Sequence, residues 1–478
     1  MIVLWILLSL LGLLAALLII ALVHTLLTPS KRSAYTPAPD EKEALALAHK
    51  LSEMVRYETV SLPEADLRDK FLGFHRVLER LFPLVHEKLE KTEIDGSLLF
   101  YWRGKSHDRP LVLMSHQDVV PAEGEWLHAP FSGDIADGKV WGRGASDTKC
   151  SVMAFFEAAE RLLAKGYTPP QDVYLSSSCT EEWAGPGCKK LVDELKRRGV
   201  RPWLVVDEGG GIINEPIGGI HGNFAMLGVF EKGKADVTFT AKSNGGHAST
   251  PKKHSPLARL SDFVHHVEHH DIFRRRMPPE VAAMFRQLAP YASFPLKFVF
   301  LNLWLFKPVL LRVLPQISAQ AGAMIRTTIA FTQAKGSDAC NVMPQEASVS
   351  ANVRFIPHQG MEESLDILKK TSHMFGLDMS VSHAADFTQA TDIHGEAFQM
   401  VQRLVGEVFP GCPACPYVMT GATDARFYQE ICDNVVRFAP VVYKPEQMRG
   451  MHGLNENIEY DCLPGAVAFY TRLIGEMA

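Results

Sequence analysis

LVLMSHQDVV at residues 111–120 and GRGASDTK at residues 142–149 decide how this chain is read. The first is an apolar run of strand length that stops at His116 and, one residue further, places Asp118. The second is a Gly-rich turn that delivers Asp147. Two later stretches repeat the pattern. DVYLSSSCTEE at 172–182 ends in Glu181 and Glu182, and PWLVVDEGG at 202–210 carries its apolar run to Asp207. Short continuous apolar runs suit strands buried on both faces. Helical patterns follow at 151–166, with Gly166 as the stop, and at 189–198. Alternation of this kind predicts an α/β fold with a doubly wound, mostly parallel sheet. Ligands of such sheets bind beyond the carboxyl ends of the strands, which is where these imidazole and carboxylate groups fall.

The 478 residues exceed one ordinary domain. Net charge is only -5, and no long basic run exists, so no nucleic-acid partner is expected. His265, His266, His269 and His270 read as the solvated face of a polar helix. The eight cysteines show no framework spacing. Cys412 and Cys415 in CPAC lack the second pair that a zinc ribbon needs, so the motif reads as a Pro-bearing loop with two free thiols. From Ile2 to Leu27 there is no Asp, Glu, Lys or Arg. That run is long enough for a hydrocarbon core of about 30 Å and too long for a cleaved signal core, so an uncleaved single-pass membrane anchor is expected. Lys31 and Arg32 favour a cytosolic body, but two charges do not set the side.

Residues 28–40 form a Pro- and Ser-containing linker, and Asp40 is placed to cap a helix starting near Glu41. A second amphipathic helix is expected from about Asp66 to Leu81. The texture changes near Gly233, where KADVTFTAKS alternates. A helix at 256–269, the strands TTIAFTQA and EASVSANVRFI, a helix at 361–375 and the strand DMSVSH follow. The order β-α-β-β-α-β predicts an α+β ferredoxin-like lid. The expected divisions are the anchor at 2–27, a catalytic domain at 41–232 and 387–478, and the inserted lid at 233–386. The lid carries an apolar helical excursion at 271–326, centred on FPLKFVFLNLWLFKPVLLRVL. That excursion is expected to pack on the lid or a second subunit; the sharper alternative is a tunnel wall for an apolar substrate or a membrane contact.

Five residues are candidate metal ligands: His116, Asp147, Glu182, Asp207 and His452. Zinc takes His nitrogen and carboxylate oxygen. Five donors exceed one hydrolytic zinc and suit two, about 3.5–4 Å apart, with one shared carboxylate. Asp147, on its flexible turn, is the expected bridge. His116 and Asp207 complete one ion, Glu182 and His452 the other, giving two Zn2+ per subunit with Co2+ or Mn2+ as possible substitutes. Asp118 is expected to orient His116, and Glu181 to take a proton from the attacking water. Taken singly these residues have ordinary readings: a surface HxD pair, a solvated EE pair, a DEGG turn, a loop histidine. Jointly, three of the groups end strands of one sheet.

SHQDVVP, GRGASDTK, TEE, DEGG and the late MHG resemble the co-catalytic zinc metallopeptidases typified by aminoacylase, carboxypeptidase S and glutamate carboxypeptidase. Within them, LNLWLFKPVLLRVL and AMIRTTIAFTQAKGSDACNVMP are similar to the branch that hydrolyses and synthesises N-fatty-acyl amino acids. The resemblance implies a lid histidine at His247 that contacts the scissile carbonyl, supplied by the other subunit in dimeric relatives. It also implies Asn341 and Arg354 as holders of a substrate carboxylate, and a cis peptide after Asp147. The GATDAR loop at 421–426 departs from the family's Gly-Gly pattern at Ala422. The expected activity is amide hydrolysis of an N-acyl amino acid with a free carboxylate, with dipeptides as the alternative. A catalytically silent binding protein on the same fold is the reading from another class.

Overall fold

The apolar run at 111–114 is the buried end of the strand Ser106–Met114, at the centre of an eight-stranded sheet. The computed structural model describes residues 1–63 and 68–477. From one edge the strands run Glu90–Ile94, Ser97–Trp102, Gln171–Ser177, Ser106–Met114, Leu204–Asn214, Val435–Tyr443, Asn223–Glu231 and Ala414–Met419. Ser106–Met114 is parallel to both of its neighbours, and Leu204–Asn214 is parallel to Val435–Tyr443. Leu113, Leu175 and Val206 meet the helix Lys149–Ala164 on one face. Val112, Tyr174 and Val205 meet the helix Gly187–Arg197 on the other. Burial on both faces is why these strands read as unbroken apolar runs.

Asp40 caps the helix Glu41–Arg56 as expected, its Oδ1 accepting the Glu43 N–H at 2.9 Å. The next helix is seen from Arg68 to Leu81; Asp66 lies outside the described residues. The strand through DEGG runs on to Asn214 instead of turning. Gly210 permits this: a Cβ there would lie 2.2 Å from the Arg437 carbonyl oxygen and 2.3 Å from that of Met226. Both neighbouring strands therefore pack closer than any side chain allows.

A second, four-stranded antiparallel sheet is built from Gly233–Lys242, Thr328–Lys335, Glu346–Phe355 and Asp378–Ala385, in spatial order second, third, first, fourth. Ala235, Val237 and Phe239 alternate inward against Leu260, Phe263 and Leu368 of the helices Pro256–His269 and Met361–Met374. This is the expected ferredoxin-like layer. Its two ends are stapled where they leave the large sheet, by Glu231 N–H to Thr388 Oγ1 at 2.7 Å and Thr388 N–H to the Glu231 carbonyl at 3.1 Å.

The start of the apolar excursion, at Ile272 and Phe273, joins the lid core, and the rest packs on the large sheet. The excursion forms the helices Pro279–Leu288, Phe294–Leu301 and Leu303–Ile317. Phe285, Phe300, Leu303 and Leu314 join the hydrophobic cluster of the large sheet, and Pro279–Leu288 lies against its edge strand Ala414–Met419. The lid's apolar face is already covered by its own two helices, whereas the edge strand offers Cys415 and Val418 a cover. Ile2–Leu27 is one continuous helix, exposed over most of its length and long and apolar enough to cross a membrane.

Candidate metal centre

His116 lies just past its strand, almost fully buried. Its Nδ1–H donates to the Asp118 carbonyl at 3.0 Å, with Asp118 Oδ1 at 3.4 Å. That leaves Nε2 as the free nitrogen, aimed at Asp147 Oδ1 3.2 Å away. Asp118 is wholly buried and satisfied on every side. Ser61 Oγ donates to it at 2.6 Å, and the backbone N–H groups of Glu181 and Glu182 donate at 3.2 Å each. One carboxylate thus sets both the imidazole and the start of the Glu181–Glu182 turn, as supporting carboxylates of metal ligands do.

Asp147 faces an imidazole with each oxygen: Oδ1 towards His116, and Oδ2 towards His452 Nε2 at 3.2 Å. His452 Nε2 is also 2.9 Å from Glu182 Oε2. Two donor groups result, His116 with Asp147 and Glu208, and Asp147 with Glu182 and His452, each with its ligand atoms within 4.8 Å of one another. The Asp147–Thr148 peptide is cis, as the resemblance implied.

The strand register places Glu208 beside His116. Asp207, the expected ligand, belongs to neither donor group among the described residues. Because the strand continues through DEGG, Asp207 and Glu208 point to opposite faces. Glu208 Oε1 comes within 4.0 Å of His116 Nε2. Asp207 is buried on the other face, where its Oδ1 accepts the Glu208 N–H at 2.8 Å and its Oδ2 has no partner among the described residues. Burial pushes it up to about 6.

The electrostatics are those of a cation site. Burial raises the carboxyls of Glu181, Glu182 and Glu208, and their neighbours raise them further: Asp147 for Glu182 and Glu208, Asp424 and Glu208 for Glu181. Positive charge is drawn onto the imidazoles in response. Asp147 and Glu182 hold His452 up to about 10. Against the opposition of burial, Asp118 and Asp147 keep His116 well above its ordinary value. Nitrogen and carboxylate donors, a fixed imidazole tautomer and surplus negative charge fit two divalent cations sharing Asp147.

Sequence reading missed the group that positions the Asp147 turn. Glu456 is fully buried; its Oε1 accepts from the N–H groups of Ser146 and Asp147, each at 3.0 Å, and its Oε2 pairs with Arg143 Nη1 at 2.9 Å. Arg143 Nη2 also donates to the Gly453 carbonyl at 2.8 Å, beside His452. The signal was present in NENI, but nothing local says what that glutamate reaches.

The lid residues lie elsewhere. His247 pairs in register with Val342, and the Asn341 carbonyl accepts the Ala248 N–H at 3.0 Å. Both side chains are exposed. Arg354 is half-buried, its Nε donating to Asn352 Oδ1 at 2.8 Å. Burial lowers both Arg354 and Lys234, and Arg426 beside them lowers them further, so three cations gather there. Lys234 and Arg426 were not foreseen.

A cavity of about 750 Å³ opens from the centre. Asp147, Glu181, Glu208 and His452 line it together with Phe285, Leu296, Phe300, Leu310 and Leu314 of the excursion.

Residues 112–476 match the peptidase family M20/M25/M40. The N-fatty-acyl-amino acid synthase/hydrolase PM20D1 of Xenopus tropicalis is 34% identical over 448 residues, covering 91% of this chain and 86% of that one. Probable carboxypeptidase S-like 2 of Dictyostelium discoideum is 30% identical over 466 residues, covering 94% and 88%. The fold is shared with the family M20 metallo-carboxypeptidase Sso-CP2 of Sulfolobus solfataricus, with a TM-score of 0.68 at 16% identity over 91% of this chain and 99% of that one. Human carnosine dipeptidase 1 gives 0.66 at 16% identity, over 91% and 97%.

Proposed function

Since the chain belongs to peptidase family M20/M25/M40 and is on that ground a zinc-dependent hydrolase of C–N bonds, we propose that it is a membrane-anchored di-zinc enzyme that cleaves the amide of N-fatty-acyl amino acids. The observation that carries the acyl preference is the cavity, which is lined both by the candidate metal centre and by apolar side chains of the excursion. A buried apolar volume of this size rewards a long hydrocarbon by about 0.8 kcal/mol per CH₂ removed from water, and a dipeptide would leave it unfilled. The relatives named for N-fatty-acyl amino acids support the same reading.

His116, Glu208 and Asp147 would hold one zinc, and Asp147, Glu182 and His452 the other. When bound, the two cations supply the positive charge that acidifies a water and polarises the amide carbonyl. Asp118 holds the His116 tautomer. Glu181 lines the cavity beside these donors and is not among them, so it is free to accept the proton of the attacking water. The water oxygen bonds to the carbonyl carbon, the C–N bond breaks, and Glu181 returns the proton to the leaving nitrogen. The products are a fatty acid and an amino acid. Arg354, with Lys234 and Arg426, is suited to the free carboxylate of the amino-acid half. His247 and Asn341, exposed on the lid, fit a role at the site of a second copy in a homodimer.

Hydrolysis of a long-chain N-acyl amino acid against a Gly-Xaa dipeptide tests the reading. Turnover of the acyl substrate, abolished in Glu181→Gln with zinc retained, is expected. Turnover of the dipeptide alone would assign the chain to carboxypeptidase-type chemistry, and zinc-free protein with unchanged binding of either compound would make it a binding protein.

A further inference from the structure

Phe294–Leu301 and Leu303–Ile317 together are apolar enough to be a membrane segment but are bent by 111° at Asn302. The first arm and the corner follow the end of the N-terminal helix. The Lys31 N–H donates to the Pro290 carbonyl at 2.8 Å, just outside that helix. Lys297 Nζ donates to Ser30 Oγ at 2.9 Å and to the Thr28 carbonyl, at its end. Asn302 Nδ2 donates to the Ala21 carbonyl at 3.1 Å and to Thr25 Oγ1 at 3.0 Å, while His24 Nδ1–H donates to Asn302 Oδ1 at 3.0 Å. Ala21 is seven residues before Thr28, so the corner of the elbow sits about 10 Å deeper along the helix than its entry. The buried polar corner is thus satisfied by groups inside the apolar stretch, the condition for non-helical backbone at membrane depth.

The second arm of the elbow has two apolar faces. Leu310, Leu314 and Ile317 line the cavity. Trp304, Val309 and Val313 are 55%, 55% and 38% exposed. Ile317 belongs to both, lining the cavity while 69% exposed, so the cavity reaches the outer surface there.

We propose that this elbow is a re-entrant element seated in the same bilayer as the N-terminal helix, and that it admits the acyl chain to the cavity sideways from the lipid. The occupant of the exposed face is the hydrocarbon of a lipid bilayer. The proposal rests on the membrane-anchor and fatty-acyl readings given above.

The full chain, reconstituted into phosphatidylcholine vesicles carrying bromine in mid-acyl positions, tests it. Trp304→Phe is expected to remove a fluorescence component that bromolipid quenches; a component equally bright in brominated and unbrominated vesicles would overturn the proposal, as would failure of the chain to insert. In a second arm, Val309→Glu with Val313→Glu is expected to raise KM for a vesicle-borne long-chain acyl amino acid about tenfold, as carboxylates resist the bilayer, and to leave a soluble N-acetyl amino acid unaffected. Equal effects on both substrates, or none, would overturn lateral entry. If the unmodified chain cleaves neither substrate, the proposed function fails, and the quenching arm alone decides the elbow.

Discussion

Glu456 accepts the backbone N–H of Asp147 at 3.0 Å, across 309 residues of chain. The carboxylate that both donor groups share therefore owes its position to the far C-terminal segment. The same glutamate neutralises Arg143, which grips the loop carrying His452. One buried side chain couples the two halves of the candidate centre.

Glu456→Gln should retain the fold, because an amide oxygen still accepts from the turn, yet loosen the centre. Loss of supporting groups of this kind typically costs about 10–100-fold in metal affinity. Titration of the metal-free protein with zinc would detect it; unchanged affinity would reduce Glu456 to a packing role.

Asp207→Asn and Glu208→Gln separate the two readings of DEGG. Glu208→Gln should lower bound zinc towards one ion per chain, and Asp207→Asn should leave it at two. Metal analysis after gel filtration decides. The opposite result would mean that the strand is shifted by one residue, since such a shift exchanges the two faces.

Arg354→Met should raise KM for substrates bearing a free carboxylate by about 10–100-fold, the worth of a hydrogen bond to a charged group. A carboxamide analogue of the substrate should show no such change. The loss of one of three crowded cations should also relieve Lys234, whose ammonium is held down by burial and by Arg426 and Arg354.

Acid should destabilise the fold through His75. Its Nε2 lies 3.1 Å from Gln117 Oε1. Gln117 Nε2 donates to the Gly96 carbonyl at 2.8 Å and to that of Ser177 at 3.2 Å, which fixes its oxygen towards the imidazole. His75 Nε2 therefore carries the hydrogen, and among the described residues Nδ1 has no partner for a second one. Burial lowers this group from 6.5 to about 4. As pH falls, the unfolded chain takes the proton first, so the contribution is full above pH 6.5 and is lost progressively towards pH 4. It amounts to roughly 3 kcal/mol. Urea midpoints for His75→Gln should be flatter across this window than those of the unmodified chain.

Much of the centre was legible because its parts are local. His116 with Asp118, the Asp147 turn and Glu181 with Glu182 each end an apolar run or Gly-rich turn, and strand topology brings such ends to one edge. The run at 202–210 was legible as a strand but not its continuation to Asn214, because glycines ordinarily end strands, whereas here Gly210 serves close strand approach. The excursion at 271–326 was legible as apolar and helical. Its partner was not, because periodicity describes one face of a contact and says nothing about the surface opposite.

By itself, the sequence determined the doubly wound sheet, the inserted ferredoxin-like layer, the apolar N-terminal helix and most of the candidate donors, because alternation, apolar run length and residue chemistry act over a few neighbours. Only the tertiary structure decided that Glu208 faces His116, that Glu456 sets the Asp147 turn and that the excursion walls the cavity. Each of these depends on strand parity or on contacts between segments far apart in the chain, which local pattern does not encode.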